Sequence, residues 1–327
     1  MSNEVIDIDA IPSTVQTVLV TGAFGFVGTE LLGHLRSAGY KVIAASRSPA
    51  KMHEGVIESV LLPSPETATD LEFDRLLSGV DHVVHLAGIA HTQLKQGDAA
   101  AAYHNANFLL TERLAKSAVR LISGKFVFVS SIRAQCGGFH DGVAVETDRP
   151  HPTDDYGRTK LQAENAIATI LVGGNFSILR PVLVYGAGVR GNMGTLIRLA
   201  KLPLPLPFAS LRARRSLVSR SSLCRAIVHC LREPATDRGT FIVADKKALT
   251  PPQIITALRA GLGRGPGLFH CPPALLGAAA KLLMQSNRWE TLSHDSVACS
   301  RALEATGWTP VEDPFEEIQL AVKYLQK

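Results

Sequence analysis

Tyr156-Gly157-Arg158-Thr159-Lys160 places a phenol and an ammonium four residues apart where helical spacing begins. Residues four apart share one face of a helix, so both groups can serve one site. The pair suits proton transfer coupled to hydride transfer at a carbonyl carbon. A free tyrosine titrates near 10, too high to exchange a proton readily at neutral pH. A neighbouring Lys160 and an oxidised nicotinamide would both favour the phenolate and lower that value. Tyr156 can then protonate a carbonyl oxygen as hydride reaches its carbon, or take the proton back in reverse. The third member is expected in Ser130-Ser131-Ile132-Arg133, just after the fifth strand. A hydroxyl at the carboxyl edge of a sheet would hydrogen-bond the reacting oxygen there. Ser131 is the first candidate and Ser130 the second.

Hydride chemistry needs a dinucleotide, and Thr21-Gly22-Ala23-Phe24-Gly25-Phe26-Val27-Gly28 offers a place for one. This glycine run stands where a strand turns into a helix, the context that gives such a fingerprint its meaning. Gly22 allows the tight turn, Gly25 lets the backbone approach a pyrophosphate, and Gly28 lets the helix pack closely. The helix start, with the backbone of Phe24, Phe26 and Val27, supplies N–H groups and partial positive charge for phosphates. Three glycines can also make an ordinary turn, but the Ser-Tyr-Lys set downstream tells against that. An NAD site places a carboxylate about 20 residues on for the ribose hydroxyls. Between Leu31 and His53 there is no Asp or Glu, and Ser46, Arg47 and Lys51 stand there instead. Arg47 would pair with a 2′-phosphate, so NADP(H) is favoured over NAD(H), the alternative being that Arg47 and Lys51 are solvated loop charges.

These groups need a scaffold, and the pattern provides one. Strand-like runs at 17–20, 41–45, 56–62, 82–86, 126–129 and 176–180 alternate with helical spacing at 26–38, 99–121 and 155–171. Short apolar strands with helices between them mean a parallel sheet covered on both faces. Residues 1–16 read as a lead, 17–180 as a dinucleotide-binding domain and 181–327 as a smaller substrate-binding region. The strand-like Gly239–Val243 is expected to rejoin the first sheet.

At 327 residues, 46% hydrophobic and 19% charged, the chain can bury a sizeable core. Disorder and small disulfide scaffolds are excluded. Aromatics at 6% and a net charge of +5 argue against a nucleic-acid binder. The basic residues are scattered except for Arg212, Arg214, Arg215 and Arg220, which better fit an anionic small molecule or a solvated loop. Five cysteines without CxxC spacing read as reduced thiols of a cytoplasmic protein, not as a zinc site. The first fifteen residues lack a signal-peptide pattern. The apolar stretch 273–284 is too short to cross a membrane, which takes about 20 residues, and reads as an amphipathic or buried helix. There is no GxSxG elbow, no HExxH and no P-loop, and no metal is expected.

From about Thr17 to Tyr324 the chain resembles the extended short-chain dehydrogenase/reductases of the NAD-dependent epimerase/dehydratase family, which act on nucleotide sugars. The matching pieces are Thr21–Gly28, the VDHVVHLAG run ending at Ala87 and Gly88, Asn107 with Thr111, Ser131, Tyr156 with Lys160 and Glu164, Arg180-Pro181, Tyr185-Gly186, the stretch Arg215-Ser216-Leu217-Val218 and Gly307-Trp308-Thr309-Pro310. The resemblance implies an α/β fold, a Rossmann doubly wound parallel sheet with a smaller mixed α/β C-terminal substrate-binding region. It implies that Ala87, Gly88 and Asn107 line the cofactor and that Pro181 and Val184 lie near the nicotinamide. Asn192 and Arg215 (with Arg214 beside it) would hold the nucleotide diphosphate, and Arg133 would join Ser131 and Tyr156 at the substrate. A homodimer through the long helices is implied too.

Within that family the Ser-Ser-Ile-Arg, Arg-Arg-Ser-Leu-Val and KLPLPLP segments look most like a bacterial polysaccharide subgroup. It includes reductases of UDP-linked 4-keto-6-deoxy-N-acetylhexosamines, which make UDP-N-acetylquinovosamine for O-antigen, and UDP-glucose 4-epimerase-like proteins. Several positions depart from the family pattern. Ile132 stands where many epimerases have Ser or Thr, and Cys136 stands near a usual Tyr. The third strand leads into Leu62-Pro63-Ser64 without the usual Asp-Leu. Ile132-Arg133 replaces the Asp-Glu pair of dehydratases, so dehydration is not expected. The leading expectation is an NADPH-dependent 4-ketoreductase, the second a 4-epimerase with retained NAD, and the third a non-catalytic dinucleotide sensor. Tyr156 and Lys160 together argue against the sensor.

Overall fold

A computed structural model describes residues 15–48, 56–90, 96–189, 191–284 and 286–323. Among the described residues eleven strands run in chain order: β1 (Thr17–Thr21), β2 (Lys41–Ser46), β3 (Val56–Leu61), β4 (His82–His85), β5 (Lys125–Val129), β6 (Val143–Ala144), β7 (Asn175–Pro181), β8 (Leu183–Tyr185), β9 (Leu217–Ser219), β10 (Gly239–Val243) and β11 (Val297–Ala298). Seven of them form one sheet in the order β3-β2-β1-β4-β5-β7-β10, all parallel. The order reverses between β1 and β4, which opens a crevice at the carboxyl ends of those strands.

Period-two alternation along the strands feeds two cores. Val18 and Val20 of β1, Val84 of β4 and Val127 of β5 face one side. That side is covered by α1 (Gly28–Ser37) through Leu31, Leu32 and Leu35. Leu19, Val83, Phe126 and Phe128 face the other, beneath α2 (Asp70–Leu76). The 99–121 stretch, read as one helix, is divided into α3 (Gln96–Tyr103), a π-turn (His104–Leu109) and α4 (Leu110–Leu121). The π-turn widens the helix at Asn107, whose buried side chain is thereby brought to the backbone of Ile89.

Two further helices place the chemistry. α5 (Ile132–Gln135) starts right after β5, capped by Ser131, whose Oγ accepts from the Arg133 N–H at 3.1 Å. α6 (Asp155–Ile170) is capped by Asp154, whose carboxylate accepts from the Gly157 N–H at 2.7 Å. The two helices meet at Gly157, where any Cβ would strike the Arg133 carbonyl. That contact keeps the start of α6 against the start of α5 and so keeps Tyr156 beside Ser131.

Beyond β7 the chain runs through α7 (Gly191–Lys201), α8 (Arg220–Arg232) and β10, which pairs with β7 in parallel register. α8 returns Leu223, Ile227 and Leu231 to the α1 side of the sheet. A third core gathers Met193, Leu196 and Ala200 of α7 with Ile254, Ile255 and Leu258 of α9 (Pro251–Gly261). The apolar stretch at 273–284 becomes α10 (Pro273–Leu282), followed by α11 (Ser286–Ser293), α12 (Arg301–Glu304) and α13 (Pro314–Lys323). Contrary to the expectation of an amphipathic or buried helix, α10 buries only Gly277. It is apolar nearly all round, so one contact line leaves the remaining leucines in solvent. Among the described residues no helix is long and apolar enough to cross a membrane.

Candidate active site

The crevice is a cavity of about 940 Å³ at the carboxyl edge of the sheet. Its walls include Phe24, Gly25 and Phe26 after β1, Ser131 and Arg133 after β5, Tyr156 of α6, Pro181 and Val184 around β7 and β8, and Arg215. Those nine expected site residues therefore share one space. The others stand outside this lining. Gly22 lies at the hinge beneath it, with φ +70° and with the Ala87 N only 2.9 Å from where a Cβ would sit. Gly22→Ala should therefore cost stability and dinucleotide affinity together, by strain and by displacing the loop. Normal binding in a dye-ligand assay would contradict that. Val27 packs into the core, and its carbonyl accepts from Leu31 N–H. Ala87 donates its N–H to Thr21 Oγ1 at 3.2 Å, and Gly88 lies against the Asn107 amide. Arg47 is exposed just past β2. Lys51 and the side chain of Asn192 lie outside the described residues.

The loop after β1 passes a simple test for a dinucleotide. A Cβ on Gly25 would meet nothing nearer than the Gly22 carbonyl, and its backbone borders the cavity at the start of α1. Asn107 is committed to Ile89 through two hydrogen bonds, 2.8 and 3.0 Å, with a third to Thr159 at 3.3 Å. It shapes the wall after β4 by fixing the loop.

Ser130 and Ser131 part company. Both border the cavity, but the Ser130 hydroxyl donates to buried Glu164, while Ser131 hydrogen-bonds Tyr156. Burial pushes the Tyr156 phenol above its ordinary value, outweighing the opposite effects of that bond and of the Arg133 charge. The lowering expected from Lys160 is not among the effects at work. Its Nζ is turned to the Val129 carbonyl at 3.0 Å and lies 4.5 Å from the centre of the Phe128 ring. Tyr156 thus keeps its proton at neutral pH, as a donor to a ketone must.

Lys160 is itself perturbed. Burial pushes its ammonium down to about 8 against an upward pull from Glu164. Between about 8 and the usual 10.5 the unfolded chain holds a proton that the folded chain has released, so this site adds stability as pH rises. Urea melts should show the wild-type chain gaining on Lys160→Met across that window, by on the order of 3 kcal/mol. A pH-independent difference would contradict the assignment. His85 is equally buried, bonded to Thr21 Oγ1 at 2.6 Å and Thr111 Oγ1 at 2.9 Å, and pushed down to about 3 by burial. It is a neutral core residue.

The charges around the cavity are mostly positive. Arg133 pairs with Asp154, the cap of α6, and Arg215 is held by the Thr291 carbonyl of α11. The two guanidiniums are close enough for Arg133 to lower Arg215, after burial the main cause. Arg214 instead faces outward to Asp295 at 3.6 Å, so Arg215 is the member of the pair at the cavity. Sequence reasoning gave no role to Asp154 or to Tyr103 (its ring 6.1 Å from that of Tyr156), and it named Arg220 only within the basic group, whereas Arg220 pairs with Glu30 and lines the cavity. Asp154 was findable as a helix cap three residues before Gly157. The Arg220–Glu30 pair joins positions 190 apart and left no local signal.

A family model described as the NAD dependent epimerase/dehydratase family matches residues 18–244. The chain belongs to that family. It is 30% identical to a UDP-glucose 4-epimerase of Vibrio cholerae over 95% of this chain and 96% of that one. It is 25% identical to a ceramide reductase of Caulobacter vibrioides over 92% and 88%. Among solved structures, UDP-glucuronic acid 4-epimerase from Bacillus cereus in complex with UDP-glucuronic acid and NAD matches with a TM-score of 0.75 and 19% identity, covering 95% of this chain and 99% of that one. Family members thus include both epimerases and reductases, and the decision between them falls to the residues of this chain.

Proposed function

We propose that this chain is an NADPH-dependent reductase of the C4 ketone of a UDP-linked 4-keto-6-deoxy-N-acetylhexosamine, giving UDP-N-acetylquinovosamine for a surface polysaccharide. The observation that carries the reading is the end of β2. No carboxylate follows it in sequence as far as His53, and exposed Arg47 stands there. A 2′-phosphate fits such a site, and NADPH is a reductant consumed turn by turn. A bound nicotinamide supplies hydride at C4. The chain supplies the rest. Tyr156, kept protonated by burial, gives its proton to O4, and Ser131 donates a hydrogen bond to the same oxygen. Lys160 positions the cofactor side of the site from behind, and Arg215 and Arg133 attract the diphosphate. Next to Ser131 stand buried Ile132 and Arg133, which offer no base for eliminating water. A cytoplasmic homodimer pairing α4 and α6 belongs to the same reading.

The second reading is a UDP-sugar 4-epimerase with tightly held NAD, favoured by the full-length likeness to the Vibrio cholerae protein. The same Ser131, Tyr156 and Lys160 would serve it. Denaturing the purified protein and weighing any released dinucleotide separates the two, since stoichiometric NAD supports the epimerase. Arg47→Ala should weaken NADPH by roughly 10–100-fold, the worth of a charged hydrogen bond, and leave NADH nearly unchanged. Equal losses for both would remove the phosphate argument.

A further inference from the structure

Two parts of the C-terminal region expose apolar side chains beside cations. Leu275, Leu282, Leu283 and Met284, in and just after α10, are 62%, 85%, 69% and 91% exposed. Just ahead of α10, the strand-like segment ending at Phe269 pairs with the segment around Leu206. That pairing keeps exposed Phe269 near exposed Leu202 and Leu204. Arg259 stitches the two segments together by donating to the Leu202, Leu204, Pro266 and Gly267 carbonyls. The exposed charges here are Lys201, Arg264 and Lys281.

From Lys246 to Trp289 the sequence holds no Asp or Glu. The imbalance is wider still. Residues 165–289 carry 17 Lys and Arg against Glu233, Asp237 and Asp245 alone, whereas the rest of the chain carries 17 against 26 carboxylates. The net charge of +5 is thus unevenly spread along the sequence, although Arg180, Arg214, Arg220, Lys246 and Lys247 pair with carboxylates outside that stretch.

We propose that these parts make one face that docks on the surface of an anionic lipid bilayer. The α10 leucines and Met284 enter the headgroup layer, and Lys201, Arg264 and Lys281 pair with lipid phosphates. A ten-residue helix is far too short to cross, but apolar side chains flanked by cations are what an interfacial helix needs. A second copy is a poorer occupant, because a two-fold contact would bring two cation-bordered surfaces together. The face also communicates with the site. Gly277 of α10 packs on Trp289 of α11, and Thr291 of α11 lines the cavity and holds Arg215. A docked chain therefore holds one wall of its cavity a single helix away from the bilayer.

The test is sedimentation of the full chain with vesicles of equimolar phosphatidylglycerol and phosphatidylcholine, and with phosphatidylcholine alone. The anionic vesicles should bind it at least about tenfold more tightly. Leu282→Ser with Leu283→Ser should cut that binding about tenfold or more, as should Lys201→Glu with Lys281→Glu in a separate variant. Both variants should keep wild-type NADPH fluorescence titrations, which shows that they fold. Failure of the folded wild-type chain to bind anionic vesicles would overturn the proposal. So would binding that neither variant reduces. A dimer dissolved by the leucine variant, without vesicle binding, would assign the face to a second copy.

Discussion

Tyr156→Phe should lower turnover by roughly 10³-fold or more while NADPH binding stays within about twofold of wild type. The substitution removes one oxygen and leaves the ring, which stands beside Tyr103 and borders the cavity. In the proposed reaction the lost oxygen is the proton donor to O4. The cofactor loop after β1 is untouched. The loss should therefore appear in turnover and not in binding, as it does when a group acts only in the transition state. Near-normal turnover would remove Tyr156 from the mechanism. A shared loss of turnover and dinucleotide affinity would show that the ring, not the hydroxyl, was the useful part. Ser131→Ala should cost less, about 10²-fold, because a hydrogen-bond donor is lost and the acid remains.

The second large effect lies beneath the site and is structural. Glu164 on α6 and Arg180 on β7, 3% and 5% exposed, form a forked ion pair with contacts of 3.1, 3.2 and 2.5 Å. Ser130 donates to the same carboxylate, and Arg180 also donates to Gln135 of α5, which in turn reaches the Val145 and Asp148 carbonyls at 3.2 and 2.7 Å. The network ties β5, α5, α6 and β7 together under Ser131 and Tyr156. Removing one partner strands the other charge in the interior. Glu164→Ala should therefore destabilise by about 3–5 kcal/mol, a large part of a total of about 5–15. In a thermal melt this is a fall of roughly 10 °C. Replacing both, Glu164→Leu with Arg180→Leu, should recover part of the loss, because no lone charge remains. A single variant losing less than about 1 kcal/mol would mean that the pair is open to water in solution.

Much of this architecture could be read from the amino acids because local rules and tertiary demands agree there. Val18, Leu19 and Val20 alternate between two cores, and Gly239–Val243 is a strand both by pattern and by its pairing with β7. The glycine run was legible because Gly22 needs a positive φ and close approach to Ala87, which other residues resist. What could not be read depends on distant partners. Ser130 and Ser131 look alike in sequence and both border the cavity, and only Glu164, 34 residues on, commits the Ser130 hydroxyl to the buried network. The lowering of Tyr156 expected from Lys160 assumed that spacing decides where an ammonium points, whereas the Val129 carbonyl captures it. The division of the 99–121 helix was hidden for the same reason: Asn107 is drawn inward by Ile89, a residue outside the helix. At α10 the pattern was apolar on every side, and such a pattern does not reveal which side is covered.

Which reaction uses the cofactor decides between reductase and epimerase. The direct measurement is to mix the purified chain with NADPH and UDP-4-keto-6-deoxy-N-acetylglucosamine, follow absorbance at the NADPH band, and identify the product by mass and proton spectrum. The predicted result is one NADPH oxidised per UDP-N-acetylquinovosamine formed, over many turnovers and abolished by Tyr156→Phe. No NADPH consumption, together with interconversion of UDP-glucose and UDP-galactose by protein carrying its own NAD, would contradict it and establish the epimerase.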